Sequence, residues 1–216
     1  GELGVSITPV REALHILEAE GYVVGVSHKG LLVPKLVPEQ LREIYELRVA
    51  LEREPPGVVV DSFGVGSLNT KSLGRHDPGF FRAMLERRRY DLIVFMTGAN
   101  DLFTMDAVPG TMRRVLGLCR EALPKASTLM LTPPDRGMLK PMKETQAVVA
   151  QRRVVAEEEG CALWDQFEAM GGAGSMRLFV KEGLALKDAV HFNEKGATFV
   201  ADRLLDALLE GDLARP

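Results

Sequence analysis

Apolar residues follow one rhythm in the first quarter of the chain and another after it. Val10, Ala13, Leu14 and Leu17 recur at three- and four-residue intervals, the spacing of one helix face. Thr8 can cap that helix with Pro9 at its first position, where a missing N–H costs nothing, and Gly21 suits its end. The stretch YVVGVSHKGLLV predicts a two-stranded ribbon turning at His28-Lys29-Gly30. VPEQLREIYELRVALERE predicts a second amphipathic helix, with Leu41, Ile44, Tyr45, Leu47 and Leu51 on or near one side. Pro55-Pro56 disfavours helix at the residue before each proline and marks a boundary. Two segments are expected, residues 1–54 and 57–216.

The second segment alternates continuous apolar runs with amphipathic stretches. GVVVDSF, YDLIVFMTG, ASTLMLTPPD and CALWDQF read as strands, the second ended by Gly98 and the third by two prolines. DPGFFRAMLERRR, AVPGTMRRVLGLCREAL, KPMKETQAVVAQRRVVAEEEG and NEKGATFVADRLLDALLEG read as helices between and after them. This order predicts an α/β fold, a parallel sheet with helices on both faces. Ligands bind such sheets beyond the carboxyl ends of the strands, so the turns after Phe63 and Met96 become candidate site positions.

Composition adds limits. The 216 residues are 46% hydrophobic and 26% charged, with a net charge of −3, the balance of a soluble globular chain. No apolar run approaches the ~20 residues of a membrane helix, and no signal-peptide pattern is visible. Cys119 and Cys161 match no metal-ligand spacing and are expected to be buried thiols in a reducing compartment, which points to the cytoplasm. Nothing in the pattern asks for a metal or a cofactor.

Three short stretches carry candidate chemistry. In VVVDSFGVGS, a strand leads to Asp61-Ser62 and a glycine-rich turn, one way to present a nucleophilic serine. In TGAND, Asn100 stands at the end of an apolar run, where its amide could donate to a developing oxyanion; Asn and Asp also simply make turns. In DAVHFNEKG, Asp188 and His191 are three apart, which lets the carboxylate reach Nδ1 and leaves Nε2 as a base. A lone Asp-x-x-His is more often a surface turn. His15, His28 and His76 have no comparable partner.

Taken together, GAND and DAVH resemble the SGNH (GDSL-type) hydrolases, a flavodoxin-like α/β family of esterases, lipases and acylhydrolases. The resemblance spans residues 57–216 and implies a small ester substrate, Asn100 as an oxyanion-hole donor, His191 as the base and Asp188 as its orienting partner. It also bears on Ser62. That residue lies 38 positions before Asn100, room for one helix and one strand. The family's nucleophile block needs a βαβαβ path to the Asn block, and each βαβ unit takes roughly 30 residues. Gly64-Val65-Gly66 with SLNTKSL therefore resembles the family's glycine block, which implies that Gly66 or Ser67 supplies a backbone N–H to the oxyanion hole. On this reading Ser62 is a bystander, the nucleophile block is absent from the chain, and hydrolytic activity is expected to be very low.

Residues 1–54 resemble the FadR branch of the GntR transcription regulators, carried by LGVSITPVREALHILEAEGYVV, the wing SHKGLLV and LREIYELRVALE. This implies a partial winged helix whose Thr8 and Arg11 approach DNA, followed by the first helix of an effector domain. Ile7 stands where such proteins usually carry arginine, and the segment begins at the end of the helix before the recognition helix. Six Lys/Arg against nine Glu also give it the wrong charge for phosphate binding. A chimera of two incomplete domains is the expected organisation, with nucleic acid as the alternative partner.

Overall fold

The computed structural model describes residues 24–26, 30–32, 59–61, 63, 68–137 and 142–211. Strands β1 (Val24–Val26) and β2 (Gly30–Leu32) pair antiparallel, Val24 opposite Leu32, as the ribbon pattern predicts. The two long helices expected in residues 1–54 lie outside the described residues, as do Thr8 and Arg11.

A three-stranded parallel sheet carries the rest, in the order β3 (Leu92–Phe95), β4 (Ser127–Leu131), β5 (Ala162–Trp164). Ile93 pairs with Thr128, and Met130 with Leu163. The central strand is buried on both faces because its side chains alternate between two cores. Met130 joins a core with Phe81, Leu85, Val115, Leu116 and Val155, while Leu129 and Leu131 join Trp164 and Leu204 on the other side. The helices divide accordingly. α2 (Pro78–Leu85), α3 (Val108–Ala122) and α4 (Lys143–Glu158) supply the first core, and α7 (Glu194–Glu210) supplies the second. α3 and α4 connect the strands on one face and α7 covers the other, which gives the α/β architecture predicted above.

Local chemistry explains where these helices start. Asp77 accepts from Phe80 N at 2.8 Å, with Pro78 in the first turn of α2. Asn193 accepts from Gly196 N at 3.1 Å and opens α7. In α3, Val108, Met112, Val115, Leu116 and Cys119 are buried, one stripe at helical spacing. Three short helices are additions: α1 (Thr70–Leu73), α5 (Gln166–Ala169) and α6 (Ser175–Lys181).

Both cysteines are free and buried. Burial, with Cys161 close by, pushes the Cys119 thiol up to about 12. Thr128 Oγ1 donates to Cys161 Sγ at 3.2 Å. Among the described residues, no helix is long and apolar enough to cross a membrane.

One expected strand is corrected. Within GVVVDSF, Val59, Val60, Asp61 and Phe63 make no strand pairing, and Val59 is 65% exposed. Asp61 instead accepts from the Tyr90 hydroxyl at 2.9 Å and pairs with Arg88 Nε at 2.9 Å, while Phe63 meets the Tyr90 ring edge-on at 6.0 Å. An apolar run alone does not show that its flanking acid has a side-chain partner elsewhere.

Candidate active site

The loops leaving β3 and β4 and the loop entering α7 converge at the carboxyl end of the sheet. After β3, Gly98 adopts φ +129, a conformation that favours glycine, and its carbonyl accepts from Asp101 N at 3.0 Å. The resulting turn leaves Asn100 exposed. Asn100 Nδ2 donates to Leu68 O at 3.3 Å, which joins this turn to the segment just after Ser67. An amide NH2 has two hydrogens, so one remains for a ligand.

Before α7, His191 Nδ1 lies 2.8 Å from Asp188 Oδ2. The other carboxylate oxygen accepts from Val190 N at 2.9 Å and His191 N at 3.1 Å. These bonds require a tight turn, and Ala189 makes it at φ 54. A left-handed backbone costs a non-glycine residue about 1–2 kcal/mol. Burial pushes the Asp188 carboxyl up, but the hydrogen bonds from the His191 ring and the two backbone N–H groups outweigh it and hold it below its ordinary value. Asp188 therefore stays ionised and fixes Nδ1–H, leaving Nε2 free to take a proton. Among the described residues, Nε2 has no hydrogen-bond partner.

The β4 loop ties these two turns together through consecutive residues. Arg136 Nη1 donates to Ala99 O at 2.6 Å, and Gly137 N donates to Ala189 O at 3.0 Å. Each bond reaches the neighbour of a candidate residue, Asn100 in one case and Asp188 in the other. Burial lowers the Arg136 guanidinium below its ordinary value, with Asp188 opposing that shift.

Beneath the Asn100 turn lies a buried polar network. Asp101 accepts from Thr70 N at 2.6 Å and from Thr70 Oγ1 at 2.5 Å. Arg152 Nη2, from α4, reaches Thr70 Oγ1 at 2.7 Å, Thr97 Oγ1 at 2.6 Å and Asp101 Oδ2 at 3.4 Å; Nη1 points at Met112 Sδ, 3.3 Å away. Both charged side chains are 0% exposed. The network fixes the start of α1, just past Leu68, against the turn that carries Asn100.

Asn100, Asp188 and His191 are thus linked by the β4 loop. Ser62 and Gly66 lie outside the described residues. Arg136 and Arg152 were not anticipated. A signal existed for Arg152, which falls four after Val148 and three before Val155 on the apolar side of α4.

Comparison with known proteins gives two results. Short N-terminal matches are to DNA-binding regulators. One is an HTH-type transcriptional regulator of Agrobacterium vitis, 43% identical over 51 residues, which are 24% of this chain and 30% of that protein. Another is the Nta operon transcriptional regulator of Aminobacter aminovorans, 42% identical over 52 residues, 24% and 25% of the two chains. The chain thus spans less than a third of the length of these curated relatives. Solved structures match over much more of it. A peptidoglycan O-acetylesterase superposes with a TM-score of 0.64 at 24% identity, over 70% of this chain and 46% of that one. A carbohydrate acetylesterase from Sinorhizobium meliloti superposes with a TM-score of 0.57 at 13% identity, over 89% and 95%. At such identities the likeness establishes the fold. Residues 25–199 match the model of the GDSL-like lipase/acylhydrolase family, a span that starts inside the regulator-like segment and covers most of the chain. By that match, the chain belongs to the GDSL-like lipase/acylhydrolase family.

Proposed function

We propose that the 57–216 segment is built for acyl transfer from a small carboxylic ester to water, with His191 as base, Asp188 as its orienting anion and Asn100 as an oxyanion donor. The observation that carries this reading is the Asp188–His191 pair, held at 2.8 Å and tied through the β4 loop to the Asn100 turn. In such a reaction a hydroxyl attacks the ester carbonyl as the base takes its proton. The carbonyl oxygen becomes an oxyanion, the alcohol leaves with the proton, and water then releases the acid. Nothing in the step calls for a cofactor or a metal.

The neighbours of Ser62 support its reading as a bystander. Asp61 and Phe63 engage Tyr90, two residues before β3, at the amino end of the strand. The Asn100 turn lies at the carboxyl end, and Leu68 reaches it. Hydrolysis of 4-nitrophenyl acetate tests the assignment. We expect a rate close to the uncatalysed background, unaltered in Ser62→Ala. Brisk turnover abolished by Ser62→Ala would overturn it. If turnover is measurable, Asn100→Ala should lower it by about 10²–10³.

A second reading rests on the regulator matches: residues 1–54 act as a DNA-binding element. Salt-dependent retardation of duplex DNA, lost in Arg11→Ala, would support it. No shift at low salt would remove it.

A further inference from the structure

We propose that Arg136 forms an anion-receiving wall of the substrate cleft, so that the ester this site takes carries a carboxylate near its acyl bond. The inference rests on the ester-hydrolase reading above and extends it to a substrate class.

A guanidinium has five N–H donors. Among the described residues, Arg136 uses one, from Nη1 to Ala99 O at 2.6 Å. Its Nε is buried without a partner. No carboxylate among the described residues lies within ion-pair distance. Asp188 is near enough to feel the charge, but its oxygens are committed to His191 and to two backbone N–H groups. Arg82, Arg88, Arg113, Arg120 and Arg153, all on the surface, each pair with an acid. Arg136 is half-buried and has none among the described residues.

A partly desolvated cation without a counter-charge is costly, and the cost is recovered when an anion arrives. The group is also held in place. Its own bond to Ala99 and the bond of the adjacent Gly137 to Ala189 anchor this part of the loop on two sides. A fixed guanidinium presents a planar fork that matches two carboxylate oxygens, and little freedom remains to be lost on binding. It sits between the turn of Asn100 and the turn of Asp188 and His191, where an ester carbonyl would be polarised. The carboxylate could belong to the acyl half or to the alcohol half of the substrate.

Binding can be read without turnover. The 15N-labelled full chain is titrated with monomethyl succinate, whose charge is on the acyl side, with O-acetylglycolate, whose charge is on the alcohol side, and with neutral ethyl acetate. The Arg136 Nε–H and the amides of Asn100 and His191 are followed. At least one anion should give saturable shifts that ethyl acetate does not, and the tighter one names the side. Arg136→Gln should weaken that binding about tenfold or more, and Arg136→Lys, which keeps the charge and loses the fork, should fall between. Arg177→Gln, at an exposed arginine of α6, should bind like the wild type. Equal binding in Arg136→Gln and wild type, equal shifts with ethyl acetate, or no shifts with either anion overturns the proposal. Arg136-dependent binding together with brisk turnover abolished by Ser62→Ala would overturn the site assignment above and leave this proposal standing.

Discussion

At Asp188 a single carboxylate makes three hydrogen bonds within four residues, and Ala189 bends the backbone to allow it. Asp188→Asn keeps an acceptor for the two backbone N–H groups but removes the negative charge. The His191 ring should then lose its anionic partner, and the Nδ1–H proton resonance should move upfield of its wild-type position. An unchanged resonance would mean that the pair does not act as a unit. The folded-state value of Asp188 is depressed, so its stabilising effect is full above the ordinary carboxylate range near 3.9 and fades as pH falls through the lower folded value. The stability gap between wild type and Asp188→Asn should therefore close only below about pH 4. Asp188 and His191 were legible in sequence because their contact spans three residues. Arg136 was not, because its partners are 37 positions back, at Ala99, and in the Asp188 loop.

Among the elements, the legible ones were those with both a hydrophobic stripe and a local stop or start signal. Asp77-Pro78 and Asn193 announce α2 and α7, and Gly98 closes the turn after β3. The short helices lacked a stripe. α6 is anchored from afar, since Asp135 Oδ2 accepts from Gly174 N at 2.9 Å and Met176 N at 3.0 Å. GVVVDSF misled because its apolar content says nothing about Tyr90 and Arg88. Two glycines separate conformational need from spatial need. At Gly196 in α7, an added Cβ would sit 1.8 Å from the Leu184 carbonyl oxygen, so Gly196→Ala should destabilise by about 1–3 kcal/mol. At Gly117 in α3 nothing lies within 4 Å, so Gly117→Ala should stabilise by about 0.5–1 kcal/mol. Thermal melts should move in opposite directions, by about 2–4 °C for each kcal/mol at this chain size.

For the molecule as a whole, the Arg152 network joins α1, the turn after β3 and α4. Arg152→Ala would leave Asp101 buried without its cation, at a cost of about 3–5 kcal/mol. Arg152→Lys should recover only part of this, because one ammonium cannot replace a fork that reaches Thr70, Thr97 and Met112 together. Urea titrations of the two variants would check the order. A loss in Arg152→Ala no larger than that of a surface substitution would mean that the network contributes little. Sequence marks Arg152 only by its place on the apolar side of α4, because its partners Thr70, Thr97 and Asp101 lie 82, 55 and 51 positions back.

The two sulfurs of the first core give this molecule a clock. Cys119 and Cys161 are each 1% exposed, and a thiol pushed up to about 12 is almost never a thiolate at neutral pH. An alkylating reagent can therefore modify the chain only while α3 and β5 part from β4. Without denaturant or reductant, the labelling rate reports how often those openings occur across the population. Run in parallel on Gly196→Ala, Gly117→Ala and Arg152→Ala, the same reagent would rank how often each version of the sheet comes apart.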